Sequence, residues 1–373
     1  MPSQLTLPSL EIRGYRGIRE LKIERLGRAN LIVGKNNVGK TSVLEAIRLY
    51  GQPGSPRDIL SILSARDETV DVKRGPLDDL QKPPLCLFQN ASFDGKTPPR
   101  ITIGPVDRPR LDLEIKLETR EVPDTGREEQ AAGRVNASGE SVAVHTHLRF
   151  RMGGSWRLLR IDKLMKRFRQ RRETTYFDMP GRLDSECPLV FVSSCGIDRE
   201  QLATLWDRIV QKPPVDEEML AALEIFNTSI SRVVFIADHD GESRVPLVQL
   251  QGHKRLFPLR RLGDGVVRVF GLAVALAASS DGFLLIDEIE NGIHYSVQPD
   301  LWRVLIRLAT KLNVQIFATS HSWDMVKAFQ IASRESEEEG VLIRLAQKDG
   351  QTLVAEFDES ELETAVDGQI EVR

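Results

Sequence analysis

Eight consecutive residues, Gly34-Lys35-Asn36-Asn37-Val38-Gly39-Lys40-Thr41, fit the pattern G-x-x-x-x-G-K-[ST]. Glycines at both ends let the backbone curl until successive N–H groups face one point, the geometry that binds a polyphosphate. Lys40 adds a cation for the β and γ phosphates, and the Thr41 hydroxyl suits the shell of a Mg²⁺ ion. Asn36, Asn37, Val38 and Ser42 complete the loop and the turn behind it. Asn30-Leu31-Ile32-Val33 in front reads as a buried strand, and Thr41 to Arg48 behind reads as the start of a helix whose N-terminus also favours anions. The ligand this predicts is a nucleoside triphosphate with Mg²⁺.

Far downstream, Phe283-Leu284-Leu285-Ile286 is an apolar run of strand character that ends in two adjacent carboxylates, Asp287 and Glu288. The carboxyl edge of a buried strand is where α/β sheets place ligands. Asp287 fits the Mg²⁺ shell beside Thr41, and Glu288 fits the base or water-orienting group for attack on a γ-phosphate. In isolation such a pair would more simply cap a helix or face solvent. Val314 to Thr319 reads as another buried strand and delivers Ser320-His321-Ser322. Between the two motifs, Leu262-Gly263-Asp264-Gly265 opens an apolar helix from Val266 to about Ala278, with Asp264 as its candidate cap. The order of phosphate loop, glycine-led helix, Asp-Glu strand and Ser-His strand resembles that of ABC-type ATPases. There the glycine-led helix is the signature element, and the histidine senses the γ-phosphate.

Within that superfamily the chain resembles the soluble branch containing RecF, SMC proteins and the OLD-like AAA ATPases. The opening Leu10-Glu11-Ile12-Arg13-Gly14-Tyr15-Arg16-Gly17-Ile18, Asn36 in the loop, the run from Asp287 to His294 and Thr319-Ser320-His321-Ser322 carry the resemblance, and OLD-like is the nearest subtype. It is best over residues 1–50 and 186–330. It implies an α/β fold, a P-loop NTPase of ABC-ATPase type with a mixed sheet and flanking helices. It also implies a homodimer or higher even assembly, in which Lys40, Thr41 and Asp287 of one subunit hold ATP·Mg²⁺ and Gly263, Asp264 and Gly265 of the other cap it. Glu288 and His321 take the catalytic positions, and Arg16 joins the nucleotide contacts. The setting implied is phage defence or DNA maintenance. OLD-like nucleases carry a Toprim domain after the ATPase, and the residues after 330 are too few for one, so the expected effector, a Toprim nuclease among the candidates, is a separate protein. One departure bears on mechanism. The signature L-S-G-G-Q has Gly263, Asp264 and Val266 at its second, third and fifth positions here, which removes a hydroxyl and adds a carboxylate where a γ-phosphate is expected.

The elements that must position these groups come from 373 residues, 41% of them hydrophobic, enough for a large core and a smaller appended unit. A formal charge of −3 excludes a generic polyanion binder, so any nucleic-acid contact must be local. Three cysteines without metal spacing suit a reducing compartment. The N-terminus lacks the pattern of a signal peptide, and the run from Val266 to Ala278 is too short to cross a bilayer, so a cytoplasmic chain without membrane contact is expected.

Four stretches follow: 1–90 with the phosphate loop, 91–185 as a β-rich and basic insertion, 186–330 with the signature, carboxylates and histidine, and a tail over 331–373. The break after the first helix is Gly51-Gln52-Pro53-Gly54-Ser55-Pro56. Gln89 is a weak candidate for the glutamine that links Mg²⁺ to a second lobe; a surface turn is the simpler account. Helices are expected at about 198–211 and 216–229, and a hairpin turn over 238–241 in which His239 lies between two aspartates. Residues 149–172 carry Arg149, Arg151, Arg157, Arg160, Lys163, Lys166, Arg167, Arg169, Arg171 and Arg172 with Phe150, Trp156 and Phe168 among them. DNA or RNA contact and a solvated, internally balanced surface are both compatible with that pattern. A closing hairpin is expected from Val341 to Leu345 and Leu353 to Phe357.

These features predict an ATP-hydrolysing ATPase that dimerises around its nucleotide and gates a partner. The alternative is a nucleotide-gated scaffold with negligible turnover that sequesters an effector. A P-loop kinase or GTPase fits poorly, since no N-K-x-D motif is present and Ser320-His321 has no role in either.

Overall fold

The computed structural model describes residues 5–69, 83–89, 98–123, 133–135, 141–170, 187–210, 230–237, 244–336 and 340–367. In chain order it forms strands β1 (Leu10–Tyr15), β2 (Ile18–Ile23) and β3 (Ala29–Val33), helices α1 (Lys40–Gly51) and α2 (Pro56–Ser64), and strands β4 (Arg100–Gly104), β5 (Leu113–Pro123), β6 (Gly133–Val135), β7 (Ser141–Met152) and β8 (Ser155–Arg160). Helix α3 (Ile161–Gln170), β9 (Leu189–Val192), α4 (Arg199–Val210), β10 (Ile230–Ala237), β11 (Arg244–Leu250), β12 (Leu256–Pro258) and α5 (Asp264–Ala278) follow. The chain continues with β13 (Phe283–Ile286), α6 (Gln298–Lys311), β14 (Gln315–Ser320), α7 (Trp323–Arg334), β15 (Gly340–Lys348), β16 (Gln351–Phe357) and α8 (Glu359–Asp367). The chain divides into two units, one of Met1–Ser9, Ile23–Leu44 and Cys187–Arg373, the other of Leu10–Lys22 and Glu45–Glu186.

The first unit is built on a six-stranded sheet in the order β16-β15-β3-β14-β13-β9. Strands β15, β3, β14, β13 and β9 run parallel, and β16 closes one edge antiparallel. Every residue of β3, β13 and β14 is buried, which is why these segments read as mainly apolar rather than alternating. Phe270, Leu272, Trp302, Leu305 and Phe329 from α5, α6 and α7 share a core with Leu31, Ile286 and Ala318 of the strands. Asn30 is fully buried within β3, and its amide is satisfied by Gly27 and the Ile316 carbonyl. The stripe of Leu202, Leu205, Trp206 and Ile209 on α4 belongs to this core, with the Trp206 ring 5.3 Å from Phe235 and 5.7 Å from Phe270. β10, β11 and β12 make a separate antiparallel sheet. The expected closing hairpin is present, and its first strand also pairs with β3.

The second unit is antiparallel, with the order β2-β1-β4-β5-β7-β6 and β8 paired to β7. Ile101, Ile103, Leu113, Ile115, Leu117, Leu148 and Phe150 are buried at alternate positions, the period-two pattern of a sheet with one face on a core. The strands of the expected β-rich stretch therefore extend a sheet begun by β1 and β2. The break after α1 resolves as expected: Ser55 accepts the Asp58 N–H as N-cap of α2, with Pro56 at the first helical position. Gln89 lies in a turn and donates its backbone N–H to Gly14. The second helix expected at 216–229 and the turn over 238–241 lie outside the described residues. Among the described residues no helix is long and apolar enough to cross a membrane.

Candidate nucleotide-binding site

The phosphate loop, the paired carboxylates, the histidine and the signature segment lie in the first unit. Because β3, β13 and β14 are parallel and in register, the segments that follow Val33, Ile286 and Ser320 leave the sheet at the same edge. The loop after β3 is made by unusual backbone: Gly34 has φ 148°, Asn37 φ 66° and Gly39 φ 103°. A side chain at Gly34 would strike the Leu345 carbonyl oxygen and come within 2.9 Å of Val38 Cγ2, so glycine is required there for contact as well as for φ. Helix α1 begins at Lys40, directly after the loop. Lys40 Nζ donates to the carbonyls of Gly34 at 2.6 Å and Lys35 at 3.0 Å, which curls the side chain back over the loop. Burial lowers the Lys40 pKa, and the charges of Asp287, Glu288 and Glu290 oppose that shift.

Thr41 Oγ1 lies 3.3 Å from both carboxylate oxygens of Asp287. A hydroxyl and a carboxylate converging behind a phosphate loop are the hard oxygen donors that Mg²⁺ takes, so the residues present fit that ion. Thr319, on β14, donates its hydroxyl to Asp287 Oδ1 at 2.6 Å and accepts the Glu288 N–H at 2.9 Å. Glu288 adopts φ 49°, a left-handed backbone that costs a non-glycine residue roughly 1–2 kcal/mol and is found where a side chain must be aimed. Asn291 Nδ2 holds Glu288 Oε2 at 2.8 Å and the Ser194 carbonyl at 3.3 Å. His321 follows β14, and its ring is half exposed. Its Nδ1 lies 3.0 Å from Glu290 Oε1, and its backbone N–H donates to the same oxygen at 2.9 Å.

The signature segment differs from expectation in one respect. Asp264 does not cap its helix: the cap position is Gly263, at φ 104°, and no side chain caps the turn. Asp264 is the first helical residue instead, 81% exposed and 3.5 Å from Arg260 four residues before it, so its carboxylate is occupied by a local cation on the surface. Gly265 follows within the same first turn.

Two groups of candidates lie in the second unit. Arg16, at φ 50°, pairs through Nε with Glu45 at 2.7 Å and through Nη1 and Nη2 with Glu68 at 2.6 and 3.1 Å. The guanidinium is thus engaged by two carboxylates of its own unit. Of the basic stretch, Arg149 pairs with Glu118, Arg151 with Glu114 and Arg160 with Asp162, while Arg157 donates to the Gly54 carbonyl. At least three of the ten basic side chains thus have a carboxylate partner, which leaves both readings of the stretch open. Arg171 and Arg172, and the side chains of Lys166, Arg167 and Arg169, lie outside what the structure describes.

Thr319, Glu290 and Asn291 are members of the site that composition alone does not single out. A polar residue ending an apolar strand and a second carboxylate two residues after Glu288 are the signals that point to them.

A parallel sheet that brings a glycine-rich loop, paired carboxylates and a histidine to one edge defines a P-loop NTPase of the ABC-ATPase type, with a β-rich insertion. Residues 6–82 match the family described as AAA ATPase domain, and residues 235–324 match the family described as AAA domain, putative AbiEii toxin, Type IV TA system. The chain thus carries an ATPase domain of the AAA/ABC type. It is 22% identical over 350 residues, 89% of each chain, to a protein of Helicobacter pylori named ATP/GTP phosphatase. It is 51% identical over 47 residues to an uncharacterized protein of Methanocaldococcus jannaschii, a match covering 13% of this chain and 22% of that one. Among solved structures, an SMC head bound to the C-terminal winged-helix domain of ScpA aligns with 12% identity and TM-score 0.47 over 97% of this chain and 99% of that one. The SMC head domain from Thermotoga maritima aligns with 12% identity and TM-score 0.45 over 94% and 98%.

Proposed function

We propose that the protein hydrolyses ATP in a Mg²⁺-dependent reaction and uses the cycle to open and close a pair of subunits. The observation that carries this reading is the convergence of Thr41 Oγ1 on both oxygens of Asp287, with Glu288 next in sequence and Lys40 one residue before Thr41. The backbone N–H groups of residues 34–41 bind the phosphates and Lys40 neutralises them. Thr41 and Asp287 hold the Mg²⁺, which when bound screens the β and γ phosphates. Glu288, aimed by its backbone and steadied by Asn291, orients water and accepts its proton. His321 reads the presence of the γ-phosphate. The name of the Helicobacter pylori relative supports hydrolysis.

The open N-terminus of α5, led by Gly263, would cap the nucleotide of a partner subunit with its backbone N–H groups, giving two ATP·Mg²⁺ per homodimer. The pair gates a separate effector, a Toprim nuclease being one candidate, or a nucleic acid at the basic face around Trp156. Phage defence or DNA maintenance is the setting that fits, and the toxin–antitoxin description attached to the family matched by residues 235–324 agrees with defence. OLD-like remains the subtype we favour.

The direct test is phosphate release from ATP by the full chain beside Lys40→Ala and Glu288→Gln. Hydrolysis well above both variants, with Glu288→Gln still binding ATP and accumulating as a dimer, supports the reading. The scaffold alternative rests on the exposed Asp264 in the signature turn. Tight ATP binding with phosphate release no faster than Lys40→Ala would favour it.

A further inference from the structure

Glu290 has no part in the mechanism above, yet it is the more deeply placed half of a pair with His321. The glutamate side chain is 9% exposed and the histidine side chain 51%. A single oxygen, Oε1, accepts the His321 backbone N–H and meets the ring at Nδ1. One contact fixes the chain where β14 gives way to α7, and the other fixes the ring. The remaining oxygen, Oε2, is buried and unpartnered, and on α5 the buried Nε and Nη2 of Arg268 are also unpartnered. Burial disfavours the Arg268 charge, and the Glu290 carboxylate offsets part of that cost. One carboxylate thus meets the exposed imidazole through Oε1 and adds favourable charge at the half-buried Arg268 guanidinium.

We propose that Glu290 is the positioning residue of His321, holding the ring by Nδ1 and presenting Nε2 to the nucleotide. The chemistry follows from the inventory of donors. A carboxylate only accepts, so the ring must carry a proton on Nδ1, and Nε2 is left as the atom for a ligand. Carboxylates that hold a functional imidazole from behind set both its tautomer and its plane. A sensing histidine this exposed would otherwise sample rotamers and both tautomers. The inference rests on the role given to His321 above, and its pairing half can be tested without any nucleotide.

Full-length protein labelled with ¹⁵N in its histidine rings is compared as wild type, Glu290→Gln and Glu290→Ala, with His321→Gln to assign the signals. At a pH where free imidazole is neutral, His321 is expected to carry its proton on Nδ1 in the wild type. Glu290→Gln keeps an acceptor of the same shape, so it should retain that tautomer, and it keeps the test valid if the alanine variant fails to fold. Glu290→Ala should return the ring to the tautomer mixture of an exposed histidine. A wild-type ring with its proton on Nε2, or an unchanged spectrum in Glu290→Ala, overturns the pairing. In steady-state hydrolysis, Glu290→Ala should lower kcat about 10- to 100-fold with KM for ATP nearly unchanged. Combined with His321→Gln it should add no further loss, since both act through one ring. Losses that multiply would overturn the positioning role. If His321→Gln alone hydrolyses ATP at the wild-type rate, the sensing role given to His321 falls, and the ring spectra still decide whether Glu290 holds it.

Discussion

Thr319 and Asp287 are joined by a 2.6 Å hydrogen bond in which the threonine donates, and the same hydroxyl oxygen accepts the Glu288 N–H. One fully buried side chain from β14 therefore sets the direction of the carboxylate proposed for Mg²⁺ and of the backbone that carries the proposed base. Two parallel strands are cross-linked at the point where chemistry is expected, so the spacing of the two carboxylates does not depend on loop conformation alone.

Thr319→Val keeps the shape but leaves a carboxylate and an N–H short of a partner. Unsatisfied groups of this kind cost roughly 1–3 kcal/mol, to be read as a lowered midpoint in urea unfolding. Turnover should fall together with stability, and a higher Mg²⁺ concentration should be needed for half-maximal rate. Thr319→Ser restores the hydroxyl and should recover most of both. A valine variant with an unchanged Mg²⁺ requirement would mean that Asp287 is aimed by something else.

Lys40 gives a pH dependence with a defined sign. Its pKa is lowered by burial, so it loses its proton below the ordinary lysine value of about 10.4. Phosphate binding needs the charged form. ATP affinity is therefore expected to hold through neutral pH and to fall as pH rises through that lowered value. The stability of the nucleotide-free chain moves the other way, because in that window the unfolded state binds more protons than the folded one. Fluorescent-nucleotide titrations from neutral to alkaline pH, with Lys40→Ala as reference, check this. A lysine-dependent affinity that stays level to the end of the range would contradict it.

Arg16 sits in a buried ion-pair network whose contribution to stability can be measured. Its side chain is 8% exposed, and those of its partners Glu45 and Glu68 are 6% and 18% exposed. Burial alone would lower its pKa, but Glu68, Tyr15 and Glu45 outweigh that and raise it. Tyr15 donates to Glu45 at 2.9 Å, and Arg66 holds the other Glu45 oxygen at 2.8 Å. Arg16→Ala leaves buried carboxylates without their main cation, at a cost on the order of 3–5 kcal/mol. Arg16→Lys should recover only part, since an ammonium cannot make the forked contact with Glu68. Thermal unfolding of both variants measures it, and a melting temperature unchanged by the alanine would show the network to be dispensable.

The sequence made the chemistry more legible than the architecture that carries it. The loop from Gly34 to Thr41 is a contiguous glycine-rich motif, and the strands ending at Ile286 and Ser320 are mainly apolar runs followed by polar residues, so their physics is local. The role of Thr319 is not local, because it depends on β13 and β14 lying side by side in register. The same holds for Arg16, whose partners Glu45 and Glu68 lie 29 and 52 residues on and meet it only after the second unit folds. Asp264 stands one position away from its expected place: Asp favours a cap on propensity, but Gly263 adopts φ 104° and takes the cap position. Strand pairing across the second unit, such as β1 with β4, spans about 90 residues, and alternation alone does not choose such partners.

Asp264 also offers the sharpest test of the composite pocket. Its carboxylate is solvent-exposed, and a surface ion pair of the kind it makes with Arg260 contributes about 0–1 kcal/mol. As an acid in the first helical turn it adds about 0.3–1 kcal/mol more. Asp264→Ser should therefore lower stability only slightly. If the segment caps the triphosphate of a partner subunit, however, the same change removes a like charge and supplies a donor to the γ-phosphate. A hydrogen bond to a charged group is worth roughly 1.5–3 kcal/mol, so kcat/KM should rise about tenfold or more. The gain should grow with protein concentration, because the donor comes from a second subunit. An unchanged rate, or an increase equally large in dilute monomer, would place residues 263–265 outside the nucleotide site.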